Sequence, residues 1–118
     1  MDDMELKQYV DTEKALERIR GNAKLFKTLL KHFLATQTQF DQLQTEIAAN
    51  DREAASKSVH ALKGVSANLS MTRLYEQCLP LEALLKSGDD VGETFSVYET
   101  TYEKTLECVN VLLQKIPT

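Results

Sequence analysis

The sequence predicts an all-α protein: an antiparallel up-down-up-down four-helix bundle with a short additional helix at the N-terminus. Three observations carry that expectation. Glycine and proline are scarce, four and two residues in a chain of 118, and long helices tolerate that scarcity better than a fold with many turns. Phe26, Phe33, Phe40 and Ile47 recur every seven residues, the seam of a helix packed in a bundle. The amphipathic segments are joined by short connections, which favours antiparallel neighbours.

The elements follow in order. The first is short, "DTEKALERIR", with Asp11 as N-cap, Gly21 as its stop, and Leu16 and Ile19 as an apolar edge. Asn22 caps a long second segment, in which Leu29, Leu30 and Leu43 fill the phenylalanine stripe and "AAND" ends the helix. The third runs from about Asp51, its cap, to Leu69, with Ala55, Val59, Leu62 and Leu69 inward. The fourth runs from about Thr72 to Lys86 on Leu74, Cys78, Leu81, Leu84 and Leu85. Pro80 lies inside it and predicts a kink, because proline lacks a donor and clashes with the carbonyl four residues back. "SGDD" then breaks the chain, with Gly88 as stop and Asp89 or Asp90 as the next cap. The last segment shows Phe95, Tyr98, Tyr102, Leu106, Val109, Leu112, Leu113 and Ile116 on one side.

The length suits one domain spanning residues 1–118. Apolar residues at 42% and charged residues at 27% are ordinary for a soluble globule, which argues against disorder. A net charge of -4 counts against a compact nucleic-acid binder. No apolar run approaches the ~20 residues needed to span a bilayer, so no direct membrane insertion is expected. Two isolated cysteines, Cys78 and Cys108, and no secretory signal fit a reducing cytoplasm.

The chemistry concentrates in "SVHALKGVSANLS", Ser58 to Ser70. On a helical wheel with His60 at zero, Leu69 falls at about 180°, Leu62 at about 200° and Ala55 at about 220°. His60 therefore points away from the apolar stripe. Its wheel neighbours are Ser56, Lys57, Lys63, Gly64 and Ala67. A solvated histidine is the simpler reading, but it leaves the small residues unexplained, since a plain exposed face favours strong helix formers. Glycine inside a helix costs about 1 kcal/mol relative to alanine. What Gly64 gains is clearance, one turn from the imidazole, for the backbone of another molecule. Lys57 and Lys63 lie one turn either side of His60. Cations there disfavour the imidazolium and favour an anion beside the ring. An unprotonated imidazole is a nucleophile, and a phosphoryl group bound to it would carry the charge those lysines neutralise.

"HALKG" followed by "VSANLS" resembles the signature of histidine-containing phosphotransfer domains: His, any residue, Leu, Lys, Gly, then mostly small residues. The resemblance extends over nearly the whole chain, with "ALERIRGN" and "LFKTLLKHFL" similar to the first two helices and "LYEQCLPLEALLKSGD" to the helix after the histidine. It implies that His60 carries the phosphoryl group, Lys63 neutralises it and Gly64 lets a receiver domain dock. Glu82 matches a polar position facing the histidine. A carboxylate there would accept the Nδ1 proton's hydrogen bond and leave Nε2 as the nucleophile. Taken from the residues alone, Glu82 reads equally as an exposed helix residue. The chain departs from the family pattern at Ser70, where many members have Gly and where Ser is expected to cap the next helix. It departs also at Val65, bulkier than the usual Ala or Ser, and at Pro80.

Other candidates are weaker. His32 has no cationic or glycine neighbours in the places that surround His60 and reads as a partly exposed helix residue. No second histidine stands at metal-ligand spacing from His60, so no metal or cofactor is expected. The absence of a glycine-rich phosphate loop speaks against an autonomous kinase. The expected function is thus a monomeric phosphorelay intermediate that takes a phosphoryl group on His60 from a receiver-domain aspartate, that of a hybrid sensor histidine kinase included, and passes it to another receiver. The alternative is a non-catalytic interaction module that docks a partner through the same surface. Two contexts stay open. Met1 at the head of a whole domain hints at a free-standing protein, and the other is the C-terminal module of a hybrid kinase.

Overall fold

The computed structural model describes residues 1–116, and the secondary structure among them is helical throughout, with no strand. The elements are α1 (Asp3–Tyr9), α2 (Thr12–Arg18), α3 (Ala23–Ala35), α4 (Gln37–Ala48), α5 (Arg52–Asn68), α6 (Thr72–Ser87) and α7 (Gly92–Lys115). The all-α class agrees with expectation. The molecule measures 44 × 23 × 20 Å, drawn out along its long helices.

α1 was not expected. Asp2 caps it, Oδ1 accepting from Glu5 N at 2.8 Å, and Leu6, Tyr9 and Val10 bury against α6 and α7. Seven residues hold too little periodicity to announce a helix; the Asp2 cap was the only legible sign. α2 begins as expected, on Asp11 Oδ1 accepting from Lys14 N. It ends before Gly21, through Arg20 in the left-handed region at φ 56°, with the Gly21 N–H returning to Leu16 O at 2.8 Å.

The long second segment is two helices. Thr36 interrupts it: Oγ1 donates to Phe33 O at 2.6 Å and pairs with Tyr102 Oη at 2.8 Å. Such back-bonding bends helices. Thr36 keeps αR angles, so the phenylalanine seam survives the break. Phe26, Phe33 and Phe40 are buried and Ile47 half-buried, and the Phe40 ring stacks on Tyr102 with centroids 4.2 Å apart.

α5, α6 and α7 stand where the periodicity put them. Asp51 caps α5 through Ala54 N. α6 continues through Pro80, which is exposed, so the donor that proline lacks is missing from the solvent face. Gly88 ends α6 at φ 82°. Val91 rather than an aspartate is the N-cap of α7, though Asp90 Oδ1 still accepts from Gly92 N at 3.2 Å. Neighbours fold back on one another. Arg52 at the start of α5 reaches the carbonyls of Leu84 and Asp89 at the far end of α6. Cys78 of α6 meets the hydroxyl of Tyr98 of α7. Gln39 and Glu46 of α4 meet Ser58 of α5.

Ser70 departs from its expected role. It does not cap α6, whose N-cap is Met71 with no side-chain bond. It sits at φ 52° just past α5, its N–H to Ala67 O and the Met71 N–H to Ser66 O, the paired bonds of a Schellman stop. Its hydroxyl is buried and has no hydrogen-bond partner among the described residues. The left-handed conformation costs an L-residue about 1–2 kcal/mol, and glycine's entropy returns only about 0.5–1 kcal/mol of that. Ser70→Gly should therefore stabilise the protein by about 1 kcal/mol, a rise of about 4 °C in melting temperature. A thermal melt checks this, and a lower midpoint would contradict it.

Candidate functional site

The burial of α5 fixes where His60 looks. Ala55, Val59, Leu62 and Leu69 are at most 2% exposed, and burying a leucine or valine contributes about 1.5–3 kcal/mol each. Rotating the helix to hide His60 would forfeit those contacts. The His60 side chain accordingly stands 75% exposed on the opposite side.

Glu82 reaches it from α6. Anchored between buried Leu81 and Leu85, Glu82 is held at the edge of the core with its side chain only 13% exposed, so the exposed-residue reading does not describe it. Its Oε1 lies 2.7 Å from Lys63 Nζ, a short charge-assisted hydrogen bond. Its Oε2 lies 3.7 Å from His60 Nδ1, outside hydrogen-bond range. The hydrogen bond to Glu82 and the attraction of its charge hold the Lys63 ammonium's pKa above its usual value, against the opposing effect of burial. Because that pKa is raised, what the charged lysine contributes is fully present below its usual value and is lost as alkaline pH rises through the raised one.

The structure thus gathers His60, Lys63 and Glu82. It leaves Lys57 on an exposed turn, 3.7 Å from Glu53. Gly64 is exposed at ordinary helical φ, and a Cβ built there would meet nothing within 4 Å. No contact among the described residues requires a glycine at that position. His32 is exposed on α3, beside Gln39, Ala61 and Val65.

Two features escaped sequence reasoning. Tyr75 and Leu79, 37% and 47% exposed, share the stripe of α6 that carries Glu82; their spacing of four and then three residues was the available signal. Ser58, to which the sequence assigned no role, is buried and donates to Glu46 Oε1 at 2.6 Å while accepting from Gln39 Nε2 at 2.9 Å. It pins α4 to α5 on the side opposite His60. Neither thiol is a ready nucleophile: burial pushes Cys78 and Cys108 up to about 11, so both stay protonated near neutrality. Among the described residues no three His, Cys, Asp or Glu side chains are grouped to hold a metal, and no helix is long and apolar enough to cross a membrane.

The arrangement offers an outward imidazole, a cation beside it and a carboxylate behind the ring. The family model described as Hpt domain matches residues 28–107, which takes in α4, α5 and α6 whole with parts of α3 and α7. No curated protein and no solved structure gives a significant match.

Proposed function

This chain belongs to the Hpt domain family, the phosphotransfer domains of two-component signalling, and on that premise we propose that it is a phosphorelay intermediate. His60 accepts a phosphoryl group from a receiver-domain aspartate and passes it to the aspartate of another receiver. The observation that carries this reading is the outward imidazole one turn from open space at Gly64, with Lys63 and Glu82 behind it. In this reading Lys63 neutralises the transferred group, and Lys57 adds a second, more distant cation. Gly64 leaves room for the receiver's backbone. Glu82 faces Nδ1 and so leaves Nε2 as the attacking atom.

The same reading takes residues 1–118 as one domain. α3 with α4, then α5, α6 and α7, form an up-down-up-down bundle, and α1 and α2 are additions at its N-terminus. The bonds from Arg52 to the end of α6, from Cys78 to Tyr98 and from Gln39 to Ser58 support that course. The phosphoryl group comes from a partner, a receiver domain of a hybrid sensor kinase included, and not from any kinase activity of this chain. The domain works as a monomer, and its two free thiols suit the cytoplasm.

The test is incubation with a phosphorylated receiver domain. The expected result is an acid-labile, base-stable adduct on this chain that a second receiver discharges. A chain that binds the receiver yet never takes the group would instead be an interaction module.

A further inference from the structure

Glu82 faces two partners with two oxygens, and in the resting protein only one contact is closed. Oε1 holds Lys63 at 2.7 Å, whereas Oε2 stops 3.7 Å short of His60 Nδ1. The carboxylate is the anchored member at 13% exposure, and the ring at 75% is the free one. Lys63, at 25% exposure, ends a flexible four-carbon stem that can swing to another anion.

We infer that Lys63 changes partners when His60 is phosphorylated: the ammonium leaves Glu82 for the phosphoryl oxygens, and the released carboxylate closes on the Nδ1–H of the ring. The inference rests on His60 being the acceptor. In the transfer, the Nε2 lone pair forms the N–P bond while the P–O bond to the donor aspartate breaks, and that electron pair leaves with the aspartate carboxylate. The Nδ1 proton stays in place. The ring becomes an imidazolium with a phosphoryl dianion on Nε2. Two new charges now face the resting pair, a dianion near Lys63 and a cation against Glu82. A dianion with three acceptor oxygens outbids one carboxylate for the ammonium. With the carboxylate still held by Lys63, Oε2 would stay 3.7 Å from Nδ1, and the N–H of the new imidazolium would lack a closed hydrogen bond to it.

The exchange bears on how readily the group moves on. A free carboxylate at Nδ1 keeps the proton on the ring. A protonated ring leaves as neutral imidazole when the N–P bond breaks and its electrons return to Nε2, whereas a deprotonated ring would leave as an anion. Glu82 is thus a positioning residue that keeps the phosphoryl group transferable. Other charged or titratable groups near the site have their own partners or act on the lysine. Lys57 on α5 is occupied by Glu53, Tyr75 and Cys78 on α6 act on Lys63, and Glu46 of α4 is engaged by Ser58 on the far side of α5.

The experiment phosphorylates wild type and Glu82→Gln with phosphoramidate, locates the group by mass spectrometry, and follows its loss against pH. The midpoint of that profile should fall by about one unit in Glu82→Gln, so that near neutrality the variant loses its phosphoryl group about tenfold more slowly. By nitrogen-detected NMR, the Lys63 ammonium signals of the two resting proteins should differ and those of the two phosphorylated proteins should coincide. Equal pH profiles, or Lys63 signals that still differ after phosphorylation, would mean that Lys63 stays on Glu82 and would overturn the exchange. Wild type with no phosphoryl group on His60 would overturn the acceptor assignment, and the exchange with it.

Discussion

His60→Gln is expected to fold as wild type and to accept no phosphoryl group from any donor. The side chain is 75% exposed and makes no hydrogen bond that the fold needs, so the change should stay within about 0.5 kcal/mol of wild-type stability. Glutamine matches the polarity, but its amide nitrogen shares its lone pair with the carbonyl and does not attack phosphorus. The loss of labelling should be complete, with phosphorylated receiver and with phosphoramidate alike. His32→Gln is the companion variant. His32 is exposed on α3, and the ion pairs of Glu82 are with His60 and Lys63, so His32→Gln should be labelled at the wild-type rate. Label that persists in His60→Gln, or disappears in His32→Gln, would refute the assignment.

The second large effect belongs to Gly64, where stability and function should part. A Cβ at this position meets nothing within 4 Å, and alanine is the better helix former. Gly64→Ala should therefore stabilise the protein by up to about 1 kcal/mol. Gly64→Gln should fold as well, because the position faces solvent. Both should slow transfer from a phosphorylated receiver, Gln more than Ala. New atoms would stand where the receiver's backbone approaches, and about 1.4 kcal/mol lost in docking already means tenfold. Phosphoramidate needs no docking surface and should label His60 in both variants as in wild type. A thermal melt beside the two labelling assays separates the cases. Early melting of Gly64→Gln would make the glycine structural. Normal melting with a wild-type receiver rate would mean that the partner does not use the space.

The sequence by itself determined the helical class, the course of α5, α6 and α7 and the outward direction of His60. The reason is local. Apolar residues at helical spacing decide which side of a helix is buried, and everything opposite must face water. Ala55, Val59, Leu62 and Leu69 thus placed His60, Lys63 and Gly64 before any partner helix was known. Caps behaved the same way at Asn22 and Asp51, each bonding a backbone N–H three residues on.

Only the tertiary structure decided the rest, because it depends on groups far apart in the chain. The break at Thr36 is tied to Tyr102, 66 residues away. α1 is too short to stand without the cover of α6 and α7. Ser70 was read as a cap from its residue type, but the paired bonds that close α5 require a left-handed residue at that point and leave its hydroxyl without a partner. Above all, Lys63 and Glu82 are nineteen positions apart, and their hydrogen bond exists because α6 folds back along α5. Periodicity could say that both side chains lie near a helix edge. Which oxygen of Glu82 meets the lysine, and which stops short of the imidazole, is set by how the two helices pack.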